Sequence, residues 1–553
     1  MSDQAWVPDL LQPNATSRID AEQSRFALNL AFAGSSAGGL FSEALSRAAM
    51  PASTWDPSLF AKDMFLQRLS TQYFHVAPGG GQPRTLNASY LLRLLCHPPS
   101  EPAIIAFRRD ILAELVKAPE LRRSLEGLYG ELVRLRALLE NSSTSRVLDA
   151  NRQRLDTLQA AKKIFDSMAK DFAGASSGLR RLGALGAAVQ ATEPYHSLRD
   201  LLAYDAQLAT LNLKVTVGAD GRIRAFDVLA IEENADNVFV ASKWKRWLAR
   251  IELFIRGYKF SQDEIMARLI DAVWAGLDDK VVMLIQLLGD VEFYLGAMGF
   301  RDKAESAGLA VCLPELGAPG DRRELHGLFN PLLLLSGITP VPCDLVVEPT
   351  TSTMLVTGPN SGGKTRLLQS IGLTQLLAQC GLFAPARSGR IAMASGLVAS
   401  LIEGTEADQT EGRLGTELVR IRTLFEKLPP HAVVLLDELC SGTNPSEGER
   451  IFELVLRMLH KLGPQAFITT HFLLFAQNLQ AMQRSENFPG LSFLQVEIDA
   501  TRKATYQFVP GVAKTSLAEH IAERLGVTGD QLLGLIEANM RRHRAGGGPP
   551  QGS

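Results

Sequence analysis

The chain has 553 residues, 46% hydrophobic and 21% charged, which is globular composition rather than disorder and more length than one hydrophobic core usually supports, so three or four lobes are expected. A net charge of −2 excludes a bulk electrostatic pull toward nucleic acid or acidic membranes, so any DNA contact must come from a local patch. The five cysteines (Cys96, Cys312, Cys343, Cys380 and Cys440) are scattered without a Cys-x-x-Cys pair, which fits buried thiols in a reducing compartment rather than a structural zinc.

In chain order, residues 1–55 have mixed Ala/Gly/Ser composition with little sustained period and read as an extension packed on, or trailing from, the first lobe. No charged-then-apolar signal segment opens the chain. The run Phe26 to Phe41 is too short and Gly/Ser-rich to span a bilayer, and Val281 to Phe300 is interrupted by Asp290 and Glu292, so no membrane helix and a cytoplasmic location are expected. From Trp55 the apolar spacing turns helical (Leu59, Phe60, Met64, Phe65, Leu69). A second helix, striped by Leu91, Leu92, Leu94 and Leu95, starts after Thr85 and ends at His97-Pro-Pro. Ile104 to Leu139 is one strongly helical run, its Arg/Glu face reading as a solvated surface. Leu155–Phe172 and Leu179–Leu202 continue the pattern.

The period then switches to two: Leu211 to Val217 and Arg222 to Leu229 flank Gly218-Ala-Asp-Gly221 as a β-hairpin. Lys243-Trp-Lys-Arg-Trp247 interleaves cations with aromatics, a composition used to grip nucleic acid, but Trp244 and Trp247 share a helical face and equally make a core stripe. Long helical segments run to about 307. The Gly/Pro-rich stretch from Gly308 marks a lobe boundary. The resulting limits are 1–55 for the extension, 56–310 for a mostly α lobe of long helices with a small inserted hairpin, 311–540 for an α/β domain, and 541–553 for a disordered tail. The fold class is therefore α/β plus all-α.

The chemistry concentrates at Met354-Leu-Val-Thr-Gly-Pro-Asn-Ser-Gly-Gly-Lys-Thr365. A buried strand runs into Gly358, Pro359, Asn360, Ser361, Gly362, Gly363, Lys364 and Thr365, and a helix begins at Leu367. Small residues let successive backbone N–H groups close around a phosphate, and the following helix presents its positive end to the same anion. In this pattern Lys364 reaches the β- and γ-phosphates and the Thr365 hydroxyl takes a position on Mg²⁺. Val433-Val-Leu-Leu-Asp-Glu438 is a second buried strand, with Asp437 placed to hold Mg²⁺ through its water shell and Glu438 to polarise a water in line with the γ-phosphate. Ala466-Phe-Ile-Thr-Thr-His471 is a third strand, ending in His471, whose imidazole is placed to hydrogen-bond a γ-phosphate oxygen or the attacking water. Lys364, Glu438 and His471 are the catalytic candidates, and Thr365 and Asp437 the metal ligands.

Gly358 to Thr365, Leu436-Asp-Glu-Leu-Cys-Ser-Gly-Thr-Asn-Pro-Ser-Glu-Gly448 and Thr469-Thr-His471 together resemble the MutS family of ATPases, and the Asn-Pro-Ser-Glu-Gly piece looks closer to its second bacterial subfamily than to the mismatch-repair enzyme. Phe329-Asn330-Pro331 resembles the turn beside the adenine, and Tyr506 through Ile521 the C-terminal strand and dimer-packing helix. The resemblance implies an ABC-type P-loop domain that dimerises, with ATP and Mg²⁺ between two protomers and lever helices reaching from a core. An ABC transporter or SMC-type ATPase carries a Leu-Ser-Gly-Gly signature that Glu403 to Leu428 does not contain.

The sequence departs from the family at three points. Phe41-Ser-Glu43 has the letters of a mismatch wedge but little chain before it, and no nuclease-type tail follows Glu537. The trans-acting Ser-Thr aligns with Gly415-Thr416, leaving Thr416 to meet the other protomer's nucleotide. The expected function is a homodimeric, DNA-binding ATPase that closes helical arms on branched or otherwise structured DNA. The alternative is an ATP-switched scaffold holding a protein partner without nucleic acid.

Overall fold

The computed structural model describes residues 7–34, 38–74, 76, 87–140, 150–207, 212–217, 223–230, 262–349, 352–401, 412–440, 444–483, 490–501, 503–514 and 527–545. They divide into two compact units, one of residues 1–50, 74–91 and 106–299 and the other of 51–73, 92–105 and 300–553. The expected Lys243–Trp247 cluster, the hairpin turn, residues 441–443 and the segment from Ser516 to Ile521 lie outside the described residues.

The first unit is helical. In Pro119–Glu140, Leu125, Leu128, Tyr129, Leu132, Leu135 and Leu139 recur three and four apart and are all buried, forming the apolar stripe of an amphipathic helix. Two runs that read as single helices are broken. Pro102–Lys117 gives way to Pro119–Glu140, and Arg180–Gln190 to Glu193–Gln207. In each case a proline, Pro119 or Pro194, sits in the first turn of the second helix, where its missing N–H leaves no bond unmade but cannot continue the helix before it. The helices Ala150–Asp171 and Arg180–Gln190 pack so closely that a Cβ on Gly186 would stand 2.4 Å from the Ala169 nitrogen; only glycine fits there.

The described residues between 7 and 50 are packed into this unit through buried polar contacts. Asp290 accepts from the Leu10 N–H at 3.1 Å and from the Tyr90 hydroxyl at 2.9 Å, and the Arg18 guanidinium is paired with it. Asn87 Nδ2 donates to Glu292 at 2.6 Å. The stretch Asp278–Ser306 is long and apolar enough to cross a membrane by composition, yet its most apolar 18-residue window is wholly buried inside the protein. Two strands complete the unit: β1 (Asn212–Val217) and β2 (Ile223–Ala230) pair antiparallel, with Val215 opposite Phe226.

The second unit is α/β. Its smaller sheet has the order β3-β7-β4-β5, from β3 (Glu315–Gly317), β4 (Arg323–Leu328), β5 (Cys343–Val347) and β7 (Ser388–Ala392). Its larger sheet has the order β12-β11-β6-β10-β9-β8, from β6 (Thr353–Thr357), β8 (Leu397–Ser400), β9 (Val433–Leu436), β10 (Gln465–Thr469), β11 (Leu491–Ile498) and β12 (Ala504–Pro510). Every pair in the larger sheet is parallel except β11–β12. Both β6 and β9 are buried along their whole length, as a parallel sheet covered on both faces requires. Phe452, Val455 and Leu459 of the helix Pro445–Leu462 and Phe475 of Leu473–Gln483 pack in one cluster with Leu355, Val434 and Ile468 of the strands. The helix Lys364–Gln379 is itself almost wholly buried, and a Cβ on its Gly372 would meet Leu435 of β9 at 2.6 Å. The parallel register brings the C-terminal ends of β6, β9 and β10 to one edge of the sheet, where ligands of open α/β sheets bind.

Candidate functional site

Lys364, Thr365, Asp437, Glu438 and His471 each stand at or just beyond one of those three strand ends. The loop after β6 turns through Gly358 at φ 139° and Gly363 at φ 87°, backbone conformations that favour glycine, and Gly363 caps the helix Lys364–Gln379. A Cβ at Gly358 would also lie 2.7 Å from Val496 of β11, so the loop hugs the sheet. Lys364 is only 4% exposed, and its Nζ donates to the carbonyls of Gly358 at 3.0 Å and Pro359 at 3.1 Å. Burial lowers its pKa, with Glu438 and Asp437 pulling the other way. Its Nζ lies 4.0 Å from a Glu438 oxygen.

The ends of β9 and β10 are joined through Thr469. Thr365 Oγ1 donates to Asp437 Oδ2 at 2.6 Å, Thr469 Oγ1 donates to Asp437 Oδ1 at 2.5 Å, and the Glu438 N–H donates to Thr469 Oγ1 at 2.8 Å. Both Asp437 oxygens are thus held. Glu438 sits at φ 47°, a left-handed backbone that a glutamate rarely adopts. Thr469 carried no role in the sequence reading. The signal for it was its position at the end of β10, the strand that pairs with both β6 and β9.

A cavity of about 1020 Å³ opens over the loop, lined by Asn360, Ser361, Lys364, Thr365, Asp437 and Glu438 among others. Its wall also includes Lys62 and Phe65, from the turn between the short 3-10 helix Pro57–Leu59 and the helix Leu66–Tyr73, where the apolar spacing predicts continuous helix, and Tyr506, whose ring lies 3.2 Å from where a Gly363 Cβ would stand. Phe329, Asn330 and His471 do not line it. Phe329 is buried. Asn330 accepts from the Leu332 and Leu333 N–H groups as the N-cap of Pro331–Leu335, while its Nδ2 donates to the Arg366 carbonyl at 3.1 Å and to Gln369 at 3.2 Å, bracing the loop's helix from behind. The same Asn-Pro start recurs at Asn444, whose side chain accepts from Ser446 N–H at 3.2 Å to open Pro445–Leu462. His471 is exposed, its ring tilted 4.3 Å from Phe472. Thr416 falls in the helix Gly412–Lys427, and its side chain lies outside the described structure.

The donor set suits a phosphate and a hard cation. An ammonium now bonded to its own loop carbonyls can exchange them for phosphate oxygens, and a hydroxyl–carboxylate pair is the oxygen ligand type that Mg²⁺ takes while keeping most of its waters.

Residues 354–532 match the family model described as MutS domain V. Among curated proteins the chain is similar to three named endonuclease MutS2. That of Thermus thermophilus is 32% identical over 240 residues, which is 42% of this chain and 30% of the relative. That of Symbiobacterium thermophilum is 32% identical over 268 residues, 48% of this chain and 32% of the relative. That of Lactiplantibacillus plantarum is 31% identical over 277 residues, 49% of this chain and 32% of the relative. The chain spans about a third of the length of these relatives.

Proposed function

We propose, for a chain that belongs to the MutS family and stands nearer to its MutS2 members, the activity of a dimeric ATPase that couples the nucleotide state to its grip on structured DNA. The observation that carries this reading is the coincidence of Lys364, Thr365, Asp437 and Glu438 around one cavity at the C-terminal edge of a parallel sheet. Backbone N–H groups of the 358–363 loop and the Lys364 ammonium bind the triphosphate, which places the terminal phosphate near Glu438. Thr365 and Asp437 would hold Mg²⁺, which would neutralise phosphate charge there. The Glu438 carboxylate orients the attacking water and accepts its proton. His471, Thr416, Phe329 and Asn330 keep supporting roles: His471 and the partner protomer's Thr416 toward the terminal phosphate, the other two toward the nucleotide's base and the loop.

The helical residues 56–310 are the arms in this reading, with 51–73 and 92–105 counted with the ATPase unit. A panel of labelled duplex, mismatched and branched DNAs, titrated with and without a non-hydrolysable ATP analogue, tests it. Nucleotide-dependent affinity that falls steeply with salt supports the reading, because phosphate contacts release counterions. Absence of binding to every DNA form at low salt defeats the DNA half and leaves an ATP-switched protein scaffold, the outcome that a net charge of −2 favours.

A further inference from the structure

At the opposite, N-terminal edge of the large sheet lies a second cavity of about 300 Å³, walled by Arg323, Ser352, His431, His460 and Gln465 among others. Arg323, on β4, is 1% exposed. Its Nε donates to Gln465 Oε1 at 2.6 Å, its Nη2 donates to Gln375 Oε1 at 2.7 Å, and its Nη1 is buried with no hydrogen-bond partner among the described residues. The bond to Gln465, itself part of the wall, puts the guanidinium at the cavity. No Asp or Glu is among the described residues of the wall, and burial pushes the Arg323 pKa down, to about 10. It remains a cation at neutral pH.

A buried cation is costly unless a counter-charge meets it. Two amide oxygens and the Phe467 ring 5.9 Å from its Cζ offset part of that cost, but none of them carries a negative charge, and among the described residues a unit of charge and one donor stay unmet. We infer that this cavity is an anion site for a small phosphate-class oxyanion, with Arg323 as the charged anchor and His431 and His460 as donors at its mouth. A planar guanidinium with a free N–H edge matches a phosphate or sulfate oxygen pair. Both histidines are exposed, which leaves an entry from solvent. The site stands apart from the 358–365 loop and does not depend on the reading of that loop.

The test is a calorimetric titration of the full chain carrying Lys364→Ala, so that the other anion-binding loop is disabled. Inorganic phosphate and glycerol 3-phosphate are the probes, and they separate a free anion from a phosphoryl group on a small ester. Saturable one-to-one binding of either is expected. Adding Arg323→Met should abolish it, and adding His460→Ala, a change at an exposed position, should weaken it about tenfold, as loss of a charge-assisted hydrogen bond does. If Arg323→Met does not fold, the His460→Ala and His431→Ala forms decide. No saturable heat with either probe, or unchanged affinity in the variants, overturns the assignment.

Discussion

The Thr469 hydroxyl stands between Asp437 and Glu438, donating to the carboxylate of the first at 2.5 Å and accepting the backbone N–H of the second at 2.8 Å. One side chain thereby fixes both the proposed metal ligand and the backbone of the proposed base. Thr469→Val keeps the β-branched shape in a buried strand but loses both bonds. Steady-state ATP hydrolysis should fall about 10- to 100-fold, the usual cost of removing an outer partner of a metal ligand, and Thr469→Ser should restore most of it. A merely structural role would lower the melting temperature without that rescue of rate.

Lys364→Ala is expected to reduce ATP hydrolysis by about 100-fold or more, since it removes the cation facing the transferred phosphoryl group. The fold should persist, because the side chain's hydrogen bonds go to carbonyls of its own loop and its ion pair with Glu438 is long, at 4.0 Å. Hydrolysis assays paired with denaturant unfolding check both halves, with an unfolding change of about 1 kcal/mol or less.

In the helical unit, Asp290→Ala strands the buried Arg18 guanidinium, whose pairing with Asp290 is inaccessible to water. Breaking one member of such a pair costs about 3–5 kcal/mol. Urea or guanidinium unfolding of this variant should show a loss of that order, and a loss below about 1 kcal/mol would mean that Asp9, 3.4 Å from Arg18, carries the charge alone.

His326 bridges two strands of the smaller sheet, with Nε2 2.8 Å from Glu324 and Nδ1 3.2 Å from Asp344. The hydrogen bond to Glu324, then that to Asp344, raises its pKa above the ordinary histidine value. The pairing therefore adds stability that is fully present below the ordinary value and fades as pH rises through the raised one. NMR titration of the ring should show the raised midpoint, and Glu324→Gln should bring it down.

The glycine turn after β6 and the buried strands that lead to Asp437-Glu438 and Thr470-His471 were legible because strand, turn and helix are adjacent in sequence, and each conformational demand is local. Residues 7–50 were not, because what orders them is remote. The Leu10 N–H and Arg18 meet Asp290 far along the chain, and no periodicity announces a polar contact of that kind. The sheet β3-β7-β4-β5 escaped for a related reason: its strands are three to six residues long, and β3 pairs with β7 across the whole 358–363 glycine turn and the helix after it. Breaks at Pro119 and Pro194 were visible as letters, but the apolar stripe ran through them. Lys62 and Phe65 carry no motif, and only folding brings them to the cavity wall.

Trapping of ATP by Glu438→Gln is the most direct measurement of whether this cavity is a hydrolytic nucleotide site. With Mg²⁺ present, the variant should bind ATP as tightly as the wild-type chain and hydrolyse it at least about 100-fold more slowly, because only the water-orienting carboxylate is lost. Unimpaired turnover in Glu438→Gln, or a wild-type chain that binds no ATP, would contradict it.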